Sequence, residues 1–275
     1  METTFSSLIK ARYQNGQHED LDGPLTPTIE SLLRHQSVRG FLDEPLARGT
    51  LESLIAVGQS ASTSSMLQTW SVVAVQEKDH KDAVAKLCGD QEFIRQAPLF
   101  LLFCADLHRL THLYERYEQS GKALDNTDLF VMASLDAAVA GQNVAVAAES
   151  LGLGLCYVGA ARNKAHDLTE LLRLPKRCIA LFGMAIGKPD PATNLPATKP
   201  RLPMEEVLHR ERWNDDKQDE QIALYDQILG AFYFEHQKHG RKTWSAHTSR
   251  YVSEDQLDGR EEYRKVMDEQ GFKLE

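Results

Sequence analysis

The amino-acid sequence predicts an α+β fold, and two observations support this class. Segments with the helical spacing of apolar residues are mixed with short, almost wholly apolar runs typical of buried strands, such as "PLFLLFCAD" and "CIALFGMAIGKP". The two kinds of segment do not alternate strictly, as they would in a doubly wound parallel sheet. With 275 residues, the chain is also long enough to bury a large core.

The N-terminal part is predicted to be an extension followed by helices. Residues 1–25 are polar and end near "DGP". A helix begins at Thr26, where a hydroxyl N-cap is followed by proline. It carries Ile29, Leu32 and Leu33 at the spacing of a core-facing stripe. A second helix lies within "EPLARGTLESLIAVGQSA".

The rest of the chain alternates irregularly between strands and helices. One helix, "DLFVMASLDAAVAGQNVAVAAESLGLG", is rich in alanine and contains Gly141, so we expect it in the middle of the fold, against another helix or a partner subunit. The C-terminal quarter reads as a polar, helix-rich tail. The remaining segments are the strands "SVVAVQ", "PLFLLFCAD", "LCYVGA" and "CIALFGMAIGKP", the helices "HKDAVAKLCG" and "HDLTELLRLP", and the proline-rich loop "DPATNLPATKPRLP".

Composition narrows the possible functions. A net charge of −9 argues against nucleic acid as the main partner, because phosphate backbones require a basic surface. Continuous apolar runs reach about half the length of a membrane span, and the N-terminus does not resemble a signal peptide, so a cytoplasmic protein is expected. The four cysteines have no C-x-x-C spacing, which favours reduced, mostly buried thiols.

Several familiar motifs fail in this sequence. The glycines of "LGLGLCYVGAA" match neither a dinucleotide-binding fingerprint nor a P-loop. His108 and His112 have the spacing of two zinc ligands, but the catalytic glutamate and an evident third ligand are missing. No serine stands in a G-x-S-x-G elbow. We therefore expect no metal site and no hydrolase chemistry.

A small set of cations and hydroxyls remains. His35, Ser37 and Arg39 follow the first helix at alternate positions, so an extended backbone would direct them to one side. Lys199 and Arg201 alternate in the same way late in the chain. A phosphate dianion bound by several charge-assisted hydrogen bonds requires this composition, with neutral donors from a hydroxyl-rich loop. The residues alone predict a phosphorylated small ligand.

Several segments of the chain resemble motifs of one protein family and occur in the same order as in that family. These are "TPTIESLLRHQSVRGFLDEPL", "ASTSSMLQ", "FCAD", "QNVAVAAESLGLG", "YVGAARN", "LFGMAIGKP", "KPRLP" and "TWS". Over most of residues 26–272 the chain resembles the FMN-dependent nitroreductases, specifically the branch of oxygen-insensitive NADPH nitroreductases and NADPH–flavin oxidoreductases. The resemblance implies a central mixed β-sheet flanked by helices and an intertwined homodimer with FMN at the subunit interface. It also implies one FMN-binding domain over residues 26–275, including the helical and basic C-terminal tail.

The same resemblance assigns cofactor-binding residues. The phosphate and ribityl chain would contact the opening motif and a late basic segment, the hydroxyl-rich loop would add contacts, and the flavin ring would lie beside a glutamine and the end of a strand. Backbone N–H groups of Gly159 and Ala160 would be directed at flavin N5 and O4. The full set is His35, Gln36, Ser37, Val38, Arg39, Thr63, Ser64, Gln91, Tyr157, Val158, Gly159, Ala160, Lys199, Pro200 and Arg201.

The chain also departs from the pattern of this branch. Gln36 stands where the branch often has arginine, and Ala160 replaces the second glycine of a pair. A left-handed backbone at Ala160 would cost about 1 kcal/mol. Lys238, Arg241 and Lys242 are the residues that would read the 2′-phosphate of NADPH, in a loop of altered length.

The implied activity is ping-pong hydride transfer from NADPH or NADH, through flavin N5, to nitroaromatics, quinones, azo compounds or free flavin. No acid–base pair is required, because the cofactor carries the chemistry. Two alternatives remain open: a dedicated NAD(P)H:flavin reductase, and a non-catalytic flavin-binding redox sensor.

Overall fold

The computed structural model describes residues 3–17, 21–194, 197–236, 240, 243–253 and 257–275. The chain divides into two compact units. The smaller unit comprises residues 1–36 and 195–257, and the larger comprises residues 37–194 and 258–275. The proposed division into an extension at residues 1–25 and a domain over residues 26–275 stays a prediction.

The larger unit is built on a four-stranded sheet. Its strands are β1 (Trp70–Val75), β2 (Leu99–Asp106), β3 (Gly154–Val158) and β4 (Cys178–Gly187), in the order β1-β2-β4-β3. All neighbouring strands of this sheet pair antiparallel. Within the described residues, the parallel component expected of a mixed sheet is limited to a bridge between Ser37 and Leu155. Every residue of β2 is buried, as its unbroken apolar run predicts.

Helices cover this sheet. They are α3 (Thr50–Gln59), α4 (Lys78–Leu87), α5 (Glu92–Gln96), α6 (His108–Arg116), α7 (Thr127–Ser150), α8 (Ala165–Leu172) and α11 (Tyr263–Glu269). The alanine-rich α7 packs against α3 and the strands, which confirms its predicted central position. Gly141 makes this approach possible, because a Cβ there would lie 2.9 Å from Cζ of Phe182.

Helix α7 is also apolar enough to be compared with a membrane span. Among the described residues it is the one helix with sufficient length and hydropathy, a mean of 1.5 over the window tested. The helix contains no long continuous apolar run, because its hydropathy comes largely from alanines interrupted by polar residues. Several of those alanines are fully buried within the unit, as in the core helix of a globular protein.

A column of aromatic rings crosses the sheet beneath α7, with one ring from each strand. The rings of Trp70 and Phe103 stack with centroids 6.1 Å apart, and Phe103 stacks on Phe182 at 5.0 Å. Tyr157 completes the column at 5.5 Å from Phe182. The column joins β1 to β3 through the core, and spacings of this kind are favourable for aromatic pairs.

The smaller unit is helical. It contains α1 (Phe5–Tyr13), α2 (Pro27–Arg34), α9 (Gln218–Glu235) and α10 (Trp244–Tyr251), with α1 packed on α2 and α10 on α9. The predicted N-cap is confirmed, since Thr26 Oγ1 accepts a hydrogen bond from Ile29 N. The core-facing interpretation is wrong for Leu32, which is 41% exposed. Periodicity defines a helix face but not whether a neighbouring element covers it.

Candidate functional site

The segment after α2 runs beside β3 in the larger unit. Ser37 forms the parallel bridge to Leu155, and Val38 N donates a hydrogen bond of 2.8 Å to the Leu155 carbonyl. The Val38 side chain occupies the space beside Gly154, where a Cβ would lie 2.6 Å from Val38 Cγ2. The extended backbone predicted for this segment is confirmed. It therefore places Arg39 near the end of β3.

Arg39 is held by its backbone and leaves its guanidinium exposed. Asn194 Oδ1 accepts from the N–H groups of Arg39 and Gly40, at 3.0 and 3.2 Å. The Arg39 guanidinium lies over the Phe93 ring, 5.9 Å from its centroid. Burial raises the pKa of the Cys156 thiol, and the nearby Arg39 charge opposes that rise. Arg39 is thus a cation fixed between β3 and α5.

Gln91 and Ala160 are neighbours across Gly89. Gly89 has φ +81°, and a Cβ there would lie 3.3 Å from Ala160 Cβ and 3.6 Å from Gln91 Nε2. Gln91 Nε2 donates to the Cys88 carbonyl at 2.8 Å, which orients the amide. Ala160 does not have a positive φ, so the cost of a left-handed alanine does not arise.

The end of β3 turns directly into a short 3-10 helix. Val158 is the last strand residue, and Gly159 opens the turn Gly159–Arg162. The Tyr157 hydroxyl donates to Gln142 Oε1 at 3.2 Å. Burial raises the pKa of the Tyr157 hydroxyl above its ordinary value, so the group stays protonated and able to donate this hydrogen bond.

Two guanidinium groups lie beside Gly159, those of Arg162 and Arg260, and sequence reasoning missed both of them. A Cβ at Gly159 would lie 3.6 Å from Arg162 Nη2 and 3.9 Å from Arg260 Nη2. Arg260 Nε donates to Asn163 Oδ1 at 2.8 Å. The "DGR" turn at residues 258–260 was the available signal, with Gly259 at φ +91°. An arginine of the C-terminal tail therefore joins the end of β3.

The hydroxyl-rich loop is anchored on Asp136 of α7. Thr63 Oγ1 donates to Asp136 Oδ2 at 2.6 Å, and Ser64 N donates to Oδ1 at 3.0 Å. The N–H and hydroxyl of Thr69 donate to the same carboxylate, each at 3.0 Å. Burial alone raises the pKa of Asp136, but these hydrogen bonds together outweigh it and hold the pKa below its ordinary value. The Thr63 hydroxyl proton is thus directed at Asp136, and its predicted contact with FMN stays a prediction, as does that of Ser64.

In the smaller unit, Arg12 joins the two segments predicted to hold a phosphate. Its Nη2 donates to the carbonyls of Leu33 and His35 at 2.5 and 3.0 Å, and its Nη1 donates to the Lys199 carbonyl at 3.2 Å. Arg201 N donates back to the Arg12 carbonyl at 3.0 Å. The segments that carry His35 and Lys199 are therefore held side by side.

The remaining residues predicted to bind the cofactor or NADPH either contact neighbouring protein groups or lie outside the described residues. The Pro200 carbonyl accepts from the Tyr225 hydroxyl at 3.0 Å, and Lys199 Nζ lies 5.1 Å from the Tyr233 ring centroid. Gln36 is partly buried. The predicted 2′-phosphate readers Lys238, Arg241 and Lys242 lie outside the described residues.

Cysteines and histidines show no metal-binding cluster in the described ranges, where no group holds three or more potential ligands. Nε2 of His108 and Nε2 of His112 are 3.0 Å apart on α6. All four cysteines are free and buried, as predicted, and burial raises the pKa of Cys88 to about 12.

Comparison with known proteins places the chain in a family. Residues 32–188 match the "Nitroreductase family" and residues 199–275 match its C-terminal domain. An "FMN reductase (NADPH)" of Bacillus subtilis is 38% identical, with 79% of this chain and 88% of that protein covered. An "Oxygen-insensitive NADPH nitroreductase" of Salmonella typhimurium is 38% identical, with 82% and 91% covered.

A solved structure agrees with this assignment and with the predicted α+β class. The NfrA1 nitroreductase from B. subtilis has a TM-score of 0.84 at 35% identity, covering 90% of this chain and all of that one. The resemblance noted in the sequence is thereby confirmed. The chain belongs to the nitroreductase family.

Proposed function

We propose that this protein is an FMN-dependent NAD(P)H oxidoreductase that passes a hydride from NADPH or NADH to a small-molecule acceptor. The observation that carries the proposal is the group at the end of β3, where Gly159 lies beside the guanidinium groups of Arg162 and Arg260. Gln91, Ala160 and the fixed cation Arg39 belong to the same unit. The names of the relatives, which include FMN reductases and NADPH nitroreductases, support the same activity.

These residues fit the chemistry of an FMN ring. A flavin presents acceptors along its N5–O4 and N1–O2 edges, so it requires N–H donors and positive charge in one plane. Gly159 lacks a side chain, and the space where its Cβ would stand is bordered by two guanidinium groups rather than by backbone. Gln91 and Ala160 meet across Gly89, which places an amide near the same turn. The donor set is that of an anion-stabilising site.

When bound, FMN accepts a hydride from the nicotinamide and later passes it on, which is chemistry that side chains cannot supply. In the proposal, the N–H groups of Gly159 and Ala160 are directed at the N5–O4 edge and Arg39 stabilises negative charge at the N1–O2 edge. Tyr157 and Val158 would lie beside the ring and exclude water, and Gln91 would meet its polar edge. Arg260 would add a positive charge beside the reduced, negatively charged flavin. Its hydrogen bond to Asn163 fixes the guanidinium in advance, so little reorganisation is needed during the reaction.

The phosphate end of FMN is assigned by the same proposal to the cationic segments. Ser37 and Val38 follow His35 and Gln36 directly in the chain, so the opening motif supplies both the imidazole and a hydroxyl. Lys199, Pro200 and Arg201 form the second segment, with its backbone fixed by Arg12. Charge-assisted bonds of this kind contribute about 1.5–3 kcal/mol each.

A homodimer in the cytoplasm is part of the proposal. Helix α7 exposes Val131, Leu135 and Val139, which recur at four-residue spacing on one face. Leu135 is 59% exposed in the single chain, and Met66 of the hydroxyl-rich loop is 76% exposed. An apolar face of this kind on a central helix suits a second copy of the chain. No nucleic acid or membrane is required by the proposed reaction.

A second candidate is a dedicated NAD(P)H:flavin reductase. It is favoured by the relatives named for that activity, such as the "NADPH-flavin oxidoreductase" of Vibrio harveyi, 36% identical over 79% of this chain. The two candidates share every residue of the site and differ in whether free flavin outcompetes quinones and nitro compounds as the acceptor.

An absorbance spectrum of the purified protein, followed by anaerobic addition of NADPH and then of NADH, tests the proposal. We expect flavin bands that bleach with a reduced pyridine nucleotide, and reoxidation by the preferred acceptor then separates the two candidates. A protein that neither binds added FMN nor oxidises NADPH would refute both candidates.

Exchange of Arg241 and Lys242 for alanine is expected to raise the KM for NADPH more than the KM for NADH. An equal effect on both KM values would show that these residues do not bind the 2′-phosphate.

A further inference from the structure

The N-terminal helix α1 contributes a buried arginine to the smaller unit. Arg12 is only 7% exposed and stands in the last turn of α1, which is closed at its start by a capping box between Thr4 and Ser7. The family match begins at residue 32, so α1 precedes it. A buried arginine is costly unless its donors are satisfied, which makes its partners informative.

The partners of Arg12 include backbone carbonyls on both predicted phosphate-binding segments. The carbonyls of Leu33 and His35 share Nη2, and the carbonyl of Lys199, 187 positions further along the chain, accepts from Nη1. Arg201 N closes the arrangement on the Arg12 carbonyl. Only a guanidinium offers several donors in a rigid planar fork, so this junction is specific for arginine.

The orientation of these peptides has a consequence for an anion. A trans peptide directs its N–H opposite to its C=O. Because the His35 carbonyl is bound to Arg12, the N–H of Gln36 points away from Arg12. The carbonyl of Lys199 is likewise held on Arg12, while Lys199 Nζ lies over the Tyr233 ring. The junction thus turns the carbonyls of His35 and Lys199 toward Arg12 and directs the N–H of Gln36 away from it, where this N–H can donate to a phosphate.

We propose that Arg12 is a positioning residue for the phosphate of FMN: it fixes the segment of His35 and Gln36 against the segment of Lys199 to Arg201. This inference rests on the proposed function, because it assigns the ligand of those segments to FMN. Arg12 acts through the backbone and does not touch the phosphate itself. The N-terminal helix is therefore part of the cofactor site rather than an appendage.

The test compares FMN with riboflavin, which is the same flavin without the phosphate. Affinities of both for the flavin-free, full-length protein are measured by flavin fluorescence in wild type, Arg12→Lys and Arg12→Ala. The control is Arg34→Ala, because Arg34 is exposed in the same unit and pairs with Glu30 at 2.9 Å. Thermal unfolding by circular dichroism checks that each variant is folded.

We expect Arg12→Lys to weaken FMN binding about tenfold or more, because a shift of either segment would cost the phosphate about one charge-assisted bond from that segment. Riboflavin affinity is expected to stay within about twofold, and Arg34→Ala to behave as wild type. Equal weakening of both flavins would show a packing role only and overturn the proposal, as would unchanged FMN affinity. If Arg12→Ala does not fold, Arg12→Lys, which keeps the charge and most of the stem, decides the question.

The two proposals fail differently in this experiment. A wild-type protein that binds neither flavin refutes the proposed function. A wild-type protein that binds FMN much more tightly than riboflavin, together with an Arg12→Lys variant that keeps this preference, refutes the role of Arg12 alone.

Discussion

Asp136 provides a quantitative test of how the hydroxyl-rich loop is held. Its carboxylate accepts four hydrogen bonds, and Thr69, which supplies two of them, is 1% exposed. In Asp136→Ala these two donors lose their acceptor, at about 1–3 kcal/mol for each buried group. For two groups we therefore expect the free energy of unfolding to fall by about 2–6 kcal/mol.

Urea denaturation followed by circular dichroism measures this loss. Asp136→Asn keeps the shape but turns an amide toward the donors, so about half the loss is expected. Asp128→Ala is the control on the same helix, where an exposed carboxylate in the first turn contributes about 0.3–1 kcal/mol. A loss below about 1 kcal/mol for Asp136→Ala would refute the anchoring role.

The pH dependence gives an independent check on Asp136. Its folded pKa is held below the ordinary value, so its contribution is fully present above the unfolded pKa of about 3.9 and is lost as pH falls through the folded pKa. The stability difference between wild type and Asp136→Asn should therefore be constant from pH 7 down to about 4.5 and shrink below pH 4. A difference that grew on acidification would contradict the assignment.

Further predictions concern packing and the flavin site. Gly141→Ala should destabilise the fold by about 1–3 kcal/mol, because the new Cβ would lie 2.9 Å from a Phe182 ring enclosed in the aromatic column. Gly230→Ala, in α9 with nothing within 4 Å, should instead stabilise by about 0.5–1 kcal/mol in the same thermal melts. Arg39→Ala should purify with less flavin and slow flavin reduction, as read by absorbance. Arg260→Ala should slow anaerobic reduction by NADPH about tenfold, as loss of a positioned cation implies.

Each of these predictions has an outcome that contradicts it. Equal melting temperatures for Gly141→Ala and Gly230→Ala would remove the steric argument. Arg39→Ala with full flavin and normal turnover would take Arg39 out of the site. For Arg260, Arg116→Ala is a matched control from the exposed end of α6, and an equal effect of both changes would indicate general electrostatics.

Much of the fold could be predicted from local patterns. The strands β2 and β4 are unbroken apolar runs, and such runs with these lengths leave few alternatives. The alanine content of α7 indicated close packing, which Gly141 and Phe182 confirm. The extended segment at Ser37 followed from a change of period alone.

The anchors of the site could not be predicted, because they join residues far apart in the sequence. Arg12 meets a carbonyl 187 positions away, and Asp136 meets a hydroxyl 73 positions away. Periodicity carries no information at these separations. In the sequence, Arg12 stands in a polar extension and Asp136 is an acidic residue within an alanine-rich helix, and neither reveals its partner. Arg260 could not be predicted for the same reason, because it lies in a polar C-terminal tail whose charged residues are typical of a solvent-exposed surface.

Each of the two units is built from two separate stretches of the chain, whereas successive domains are each built from one continuous stretch. The smaller unit needs residues 1–36 and 195–257, and the larger needs residues 37–194 and 258–275. Phe272 is 1% exposed in the core of the larger unit, and the main chain of Glu275 bonds to Asp125 and Thr127. The larger unit therefore cannot finish folding on the ribosome before the last residues emerge, and the smaller unit cannot finish before residue 257. Domains ordinarily fold in turn as they are synthesised. Removal of even a few C-terminal residues should leave the nascent sheet without part of its core, and should reduce the yield of soluble protein more than its intrinsic activity.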